Sequence, residues 1–367
     1  MLGPYPGNTH ISIDNYFDYC RSSVESHLKN WNFKALQPGQ FQSGDFVKSD
    51  VGRKQAWKEL YLNWPLSLRV LEADVFHIVD QGMAWYRCFL NSGKTIITVH
   101  DLINVLNMRG RMSLETLPIR RQAMVRMCVG QIQKADAIIC PSRRTAVDVM
   151  NELGVDAKRI HVIYNLIPHV FRPLAEEERA AARKRYFGDA EYAVLHVGKP
   201  TSYKNRVGAL KAFDLIHQAL PDSRMVITSQ PLTDEEKQFL QGRACASAVS
   251  LRQPEQQEEL RALYGAADVM LFPSIFEGFG WPPVEAMACG CPVVSSVGGS
   301  LAEVIGDGAV RVQDALNERA FADAAMEILK GPQVAAEWKG KGLLNAKRFS
   351  EAVLAPQLGE LYQLIGS

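Results

Sequence analysis

Ten short apolar runs, most of them rich in β-branched residues, recur along the chain. In the first half they are Val75–Val79 (VFHIV), Thr95–Val99 (TIITV), Ala137–Cys140 (AIIC) and His161–Tyr164 (HVIY). In the second half they are Ala193–Val197 (AVLHV), Met225–Thr228 (MVIT), Ala248–Leu251 (AVSL), Val269–Phe272 (VMLF), Pro292–Ser295 (PVVS) and Ala309–Val312 (AVRV). Half-exposed strands alternate apolar and polar residues; these runs are continuous, as in parallel strands buried on both faces. Between them lie stretches of helical periodicity, such as Ala209–Leu220 and Glu258–Ala266. Strand–helix alternation predicts an α/β fold with a doubly wound parallel sheet in each half.

The two prolines of PHVFRPL (Pro168–Leu174), followed by the acidic stretch AEEER, mark the expected boundary. We therefore expect an N-terminal domain over 1–172 and a C-terminal domain over 173–345. Closing helices fall between Gly342 and Ile365, with a last segment over 346–367. Composition agrees: 367 residues with 47% hydrophobic content are enough for two cores.

Charge separates the halves. Residues 1–172 carry 21 Lys and Arg against 15 Asp and Glu, and residues 173–367 carry 20 against 25, so a net +1 hides +6 and −5. Different partners for the two halves follow. Arg109, Arg111, Arg120, Arg121 and Arg126 crowd one region of the first half. They form either a solvated helical face or a peripheral contact with anionic lipid or a phosphate-bearing acceptor. Aromatic platforms for bases are absent, which argues against nucleic acid. Seven cysteines, an odd number without a CxxC pair, suit a reduced, cytoplasmic protein better than a disulfide or zinc framework. MLGPYPGNTH does not read as a secretory signal, and no apolar run reaches the ~18 residues of a membrane span.

The candidate chemistry sits after strands, where open α/β sheets bind ligands. In FPSIFEGFGWPPVEAMACGCPVV (Phe272–Val294) a strand ends at Phe272, and Pro282 and Pro283 sit where a helix begins. The loop between them carries Glu277, Gly278, Phe279 and Gly280, and the helix carries Glu285. Glycines permit close backbone approach, a helix start favours phosphate, and two carboxylates suit vicinal hydroxyls of a sugar and a ribose. In HVGKPTSYKN (His196–Asn205), Lys199 and Lys204 bracket a second strand-to-helix turn, placed to offset the negative charge of a diphosphate. No Asp-x-Asp motif and no His or Cys cluster of ligand spacing occurs, so no metal or other cofactor is expected.

Together these residues resemble glycosyltransferase family 4, the retaining enzymes of the GT-B fold. Glu277 and Glu285 match its Glu-x7-Glu motif, Gly198, Lys199 and Lys204 match its strand–Gly–basic–x4–Lys pattern, and Gly298 and Gly299 match its next glycine turn. The resemblance is specific over residues 193–312 and weaker before them. It implies two Rossmann-like domains facing across a cleft, with the last helix crossing back to the first domain. By the same resemblance Glu277 contacts the donor hexose on the reacting face. The backbone of Gly278, Phe279 and Gly280 holds sugar hydroxyls and phosphate, and Glu285 binds the ribose. Lys199 and Lys204 clamp the diphosphate, and the base rests near Arg252, Gln253 and Pro254. His100, in TVHDL, matches a family histidine that reaches the donor sugar. Gly7, Asn8 and Thr9 are what remains of the family's first glycine-rich loop, as phosphate or acceptor contacts. Position 199 is usually arginine in the family; lysine supplies a point charge without the bidentate fork.

The implied reaction is retaining transfer of a hexose from a nucleoside-diphosphate sugar, GDP-mannose or a UDP-hexose, in bacterial glycan or polysaccharide synthesis. The acceptor is a glycan, lipid-linked glycan or small molecule. The rival readings are a nucleotide-sugar epimerase on the same fold and a noncatalytic nucleotide-sugar-binding protein. The paired glutamates with FGWPP between them argue against the first, and Glu277, Glu285 and Lys204 together argue against the second.

Overall fold

The computed structural model describes residues 1–3, 11–28, 31–38, 58–112, 114–228 and 231–367. All ten apolar runs are strands: β1 (Val75–Ile78), β2 (Lys94–Thr98), β3 (Ala137–Cys140), β4 (Ile160–Val162), β5 (Tyr192–Val197), β6 (Ser223–Thr228), β7 (Val249–Arg252), β8 (Val269–Phe272), β9 (Val293–Ser296) and β10 (Val310–Val312). They form two parallel sheets, ordered β1-β2-β3-β4 and β10-β9-β8-β5-β6-β7.

The chain divides into two compact units, Met1–Leu166 with Glu351–Ser367, and Ile167–Ser350. The first crossing comes earlier than the expected boundary after 172, for a physical reason. The Ile167 N–H donates to the Phe349 carbonyl at 2.9 Å, and Ile167 and Phe171 are buried. The Phe171 ring meets Tyr264 edge-on. The proline-rich stretch that reads as a linker thus supplies core side chains to the second unit. The Pro332–Ala346 helix packs on the Trp281–Ala288 helix in that unit, while the Glu351–Gly366 helix packs on the Ile11–His27 helix and on β1 in the first.

In the first unit Leu2 joins the sheet through isolated bridges. Leu2 forms parallel bridges with both Leu36 and Ile78, its N–H donating to the His77 carbonyl at 2.7 Å. One bridge on each side leaves no apolar run to read. Beneath it lies a buried polar network. His77 Nδ1 pairs with the Tyr362 hydroxyl at 2.5 Å and Nε2 with Thr98 Oγ1 at 2.7 Å. Thr98 Oγ1 in turn pairs with the Tyr16 hydroxyl at 3.1 Å. Burial pushes the His77 imidazole down to about 3, so it is neutral in the fold.

The second unit is doubly wound. Val194, Leu210, Phe213, Met225, Ile227, Leu271 and Phe321 form a buried core between the sheet and the Arg206–Ala219 and Glu318–Lys330 helices. The Glu176–Phe187 and Gln257–Ala266 helices pack against each other. Strand order reverses at β5, with β6 and β7 to one side and β8, β9 and β10 to the other. The carboxyl ends of β5 and β8 therefore flank the switch point where ligands of such sheets bind.

Candidate active site

The loops that leave β5 and β8 carry the two motifs, and they are tied together. The Ile275 N–H donates to the Tyr203 carbonyl at 2.7 Å. After Gly198 the β5 loop makes a 3-10 turn, Ser202–Lys204, and ends at Asn205, which has φ 50° and caps the Arg206–Ala219 helix. The Asn205 side chain accepts from the Gly208 N–H at 3.1 Å and donates to the Ala315 carbonyl at 2.7 Å. This cap fixes where the preceding lysine points.

Lys204 Nζ lies 2.6 Å from Glu277 Oε1, with side chains only 15% and 8% exposed. Its ammonium also stands over the Phe272 ring, 5.4 Å from the centroid. Lys199 is partly buried on the same loop. Burial, and after it the like charge of Lys204, hold its ammonium below the usual lysine range. An anion beside Lys199 favours its charged form.

The backbone of Glu277 is held from Ser300. The Ser300 N–H and Oγ both donate to the Glu277 carbonyl, at 2.9 and 3.0 Å, and Ser300 Oγ also reaches the Phe279 carbonyl at 3.1 Å. Gly299 has φ +64°, and a Cβ there would sit 2.3 Å from the Glu277 carbonyl oxygen. The Gly298–Gly299 turn is thus required by close packing under the glutamate loop. Gly280, at φ +91°, caps the Trp281–Ala288 helix. The Phe279 side chain is buried against Trp281 and Phe349. Pro282 and Pro283 fall in the first turn of that helix, so two of its leading positions have no N–H to offer a phosphate.

Glu285 lies on the same helix, buried, with Oε2 accepting from the Tyr264 hydroxyl at 2.8 Å. Desolvation lifts its carboxyl to about 7, against the opposing hydrogen bond from Tyr264 and the charge of Lys204. A buried ion pair, Arg206 to Glu236 at 2.9 Å, ties the start of the Arg206–Ala219 helix to the Asp234–Leu240 helix.

The structure brings Lys199, Lys204, Glu277 and Glu285 into one neighbourhood, with Gly278, Phe279 and Gly280 in the loop between the glutamates. Arg252 ends β7, an edge strand two places from β5, and Gln253 and Pro254 follow it; Arg252 Nη1 donates to the Leu251 carbonyl at 2.9 Å. His100 belongs to the first unit. Its Nε2 meets the Val79 carbonyl at 2.9 Å and its N–H donates to Gln81 Oε1 at 2.8 Å. Burial holds the ring below the usual histidine range. Gly7, Asn8 and Thr9 lie outside the described residues. The arginine group divides: Arg109 and Arg111 both pair with the buried Glu152, while Arg120, Arg121 and Arg126 are exposed on the Ile119–Ile132 helix. Among the described residues no group of three or more His, Cys, Asp or Glu could hold a metal ion, and no helix is long and apolar enough to cross a membrane.

Residues 178–343 match the family described as glycosyl transferases group 1, and residues 47–170 match glycosyltransferase family 4. The chain belongs to glycosyltransferase family 4. A family relative, the D-inositol 3-phosphate glycosyltransferase of Mycobacteroides abscessus, is 31% identical over 186 residues, 48% of this chain and 40% of that protein. The serotype-specific mannosyltransferase WbdA of Escherichia coli is 26% identical over 219 residues, 58% of this chain and 26% of that protein. The matched segment thus spans less than half the length of either. The Anabaena protein HepE, solved in complex with UDP and glucose, superposes with a TM-score of 0.76 at 16% identity, covering 99% of this chain and 98% of that one. WaaG, a glycosyltransferase involved in lipopolysaccharide biosynthesis, gives 0.72 at 13%, covering 98% and 99%. At these identities the likeness establishes the fold, which is GT-B.

Proposed function

We propose that this family 4 chain transfers a hexose from a nucleoside-diphosphate sugar to an acceptor hydroxyl, with retention at the anomeric carbon. The observation that carries this reading is the Lys204–Glu277 pair at the β5/β8 switch point, with Lys199 beside it. The two lysines face the place of a diphosphate and stabilise the charge that grows on it as the glycosidic bond breaks. Glu277, freed in part from Lys204, then lies beside the reacting sugar. Glu285 takes the ribose hydroxyls, the backbone of Gly278–Gly280 the sugar and phosphate, and Arg252–Pro254 the base. The lysines do the electrostatic work without a metal. Likeness to a mannosyltransferase favours GDP-mannose, with a UDP-hexose second, and a role in bacterial glycan synthesis.

The test is a thermal-shift panel of nucleotides and nucleotide sugars, followed by assay for released nucleoside diphosphate with candidate acceptors. A donor at 100 times its Kd stabilises by about 2.7 kcal/mol. No response to any nucleotide sinks the reading. Sugar inversion without an acceptor replaces it with an epimerase, and binding without turnover replaces it with a noncatalytic protein.

The same proposal includes a peripheral membrane contact. The Ile119–Ile132 helix has no acidic residue. At 100° per residue, Ile119, Ala123 and Met127 form a solvent-facing strip bordered by Arg126 and Arg120. Ile119 is 83% exposed, while Cys128 and Ile132 face the core. An apolar strip flanked by cations suits an anionic bilayer surface. Met127→Ser with Arg120→Ser should lower sedimentation with phosphatidylglycerol vesicles about tenfold, at roughly 1 kcal/mol per lost arginine; unchanged sedimentation removes the contact.

A further inference from the structure

The family motif assigns a partner to each glutamate of the loop but is silent about what stands behind Glu285. Tyr264, on the Gln257–Ala266 helix, is completely buried. Its hydroxyl donates to Glu285 Oε2 at 2.8 Å, and its ring is wedged edge-on against Phe171, 6.0 Å between centroids. The phenol has no room to swing. Burial, with the Glu285 charge after it, holds its proton well above the ordinary tyrosine range, so it acts only as a donor to the carboxylate.

We infer that Tyr264 is a positioning residue for donor binding: its phenol fixes one oxygen of Glu285 and keeps that carboxylate in the charged form needed to accept from two ribose hydroxyls. The inference rests on the reading of Glu285 as the ribose ligand. A protonated carboxyl presents a donor and loses acceptor capacity, so a vicinal diol is held well only by the ionised group. Three titratable groups face this carboxyl: the Tyr264 phenol, the Lys204 ammonium and the Cys289 thiol on its own helix. The first two favour its charge. The thiol, held protonated by burial, leaves it unchanged. Tyr264 is the nearer of the two supports and lies outside the reacting loop. Donor affinity therefore falls as pH drops through the range where Glu285 takes up its proton, about 7 in the empty site.

The experiment is calorimetric titration of the full chain with GDP-mannose and with UDP-glucose, from pH 6.0 to 8.5. The diphosphate of a nucleotide sugar has no proton to exchange in this window, so the acid limb reports the protein. Tyr264→Phe should move that limb up by about one pH unit, making binding at pH 7 about fivefold weaker, and close to tenfold at pH 6, while values near pH 8.5 converge. Glu285→Gln keeps an acceptor for the phenol and should bind weakly but without a limb. Coincident limbs in Tyr264→Phe and wild type, or equal weakening at every pH, overturn the inference while leaving donor binding intact. Wild-type protein that binds neither nucleotide sugar overturns the donor reading, and this inference with it.

Discussion

At the carboxyl ends of β5 and β8 two lysines and two glutamates gather, whereas the buried network of His77 on β1 and Thr98 on β2 joins imidazole and hydroxyl to the phenols of Tyr362 and Tyr16. The first set is ionisable, partly desolvated and built around the Lys204–Glu277 ion pair. The second is neutral, and each described contact pairs one donor with one acceptor. Buried polar networks that are internally satisfied specify structure, while charges held against their preference mark sites waiting for a ligand. The two sheets share a fold pattern, yet the chemistry of their strand ends separates scaffold from candidate site.

The sharpest way to break this contrast is Glu277→Ala. Turnover should fall on the order of 10³-fold, as when a preorganised electrostatic group is removed, while nucleotide binding, measured by thermal shift, changes little. Wild-type-like turnover would remove Glu277 from the reacting face. Gly299→Ala comes next. A Cβ cannot occupy the space beside the Glu277 carbonyl, and φ +64° is strained for alanine. Displacing the loop by about 1 Å should cost roughly 10²-fold in kcat/KM, together with a lower Tm; an unchanged Tm would show that the turn is adaptable.

The two regions should also respond to pH with opposite sign. His77 is neutral in the fold, so its contribution is complete above the ordinary histidine pKa of 6.5 and is lost as pH falls toward about 3. Glu285 in the empty fold holds its proton up to about pH 7, so its burial is tolerated below 4.5 and costs stability as pH rises through about 7. Each effect is on the order of a few kcal/mol at most. Melting curves at pH 5 and pH 8 should show His77→Asn losing acid sensitivity and Glu285→Gln gaining stability at the higher pH. The reverse pattern would invalidate the assignment of charge to one sheet and neutrality to the other. The smallest effect expected is for Tyr362→Phe, which leaves His77 Nδ1 without its partner and should destabilise by about 1–3 kcal/mol in denaturant unfolding.

Continuous β-branched runs made all ten strands legible, because burial on both faces of a parallel sheet leaves so direct an imprint. Glu277, Glu285, Lys199 and Lys204 were legible because proline, glycine and charge coincide at two strand ends. Tyr264 was not, since a tyrosine in ELRALYGAA occupies an apolar helical position like any core residue. Ser300 acts through backbone carbonyls, which leave no trace in side-chain pattern. The Leu2 bridges involve a single residue and leave no run to read. The boundary was displaced because prolines signal turns but say nothing about whether Ile167 and Phe171 between them are buried.

The chain enters its second unit at Ile167 and returns to the first at Glu351. During synthesis, therefore, His77 emerges from the ribosome long before Tyr362, the hydroxyl that pairs with its Nδ1. The groove on β1 and the Ile11–His27 helix that receives the Glu351–Gly366 helix stays open until all of the second unit has been made. A nascent chain of this kind carries an unfinished first unit while its second unit is being made.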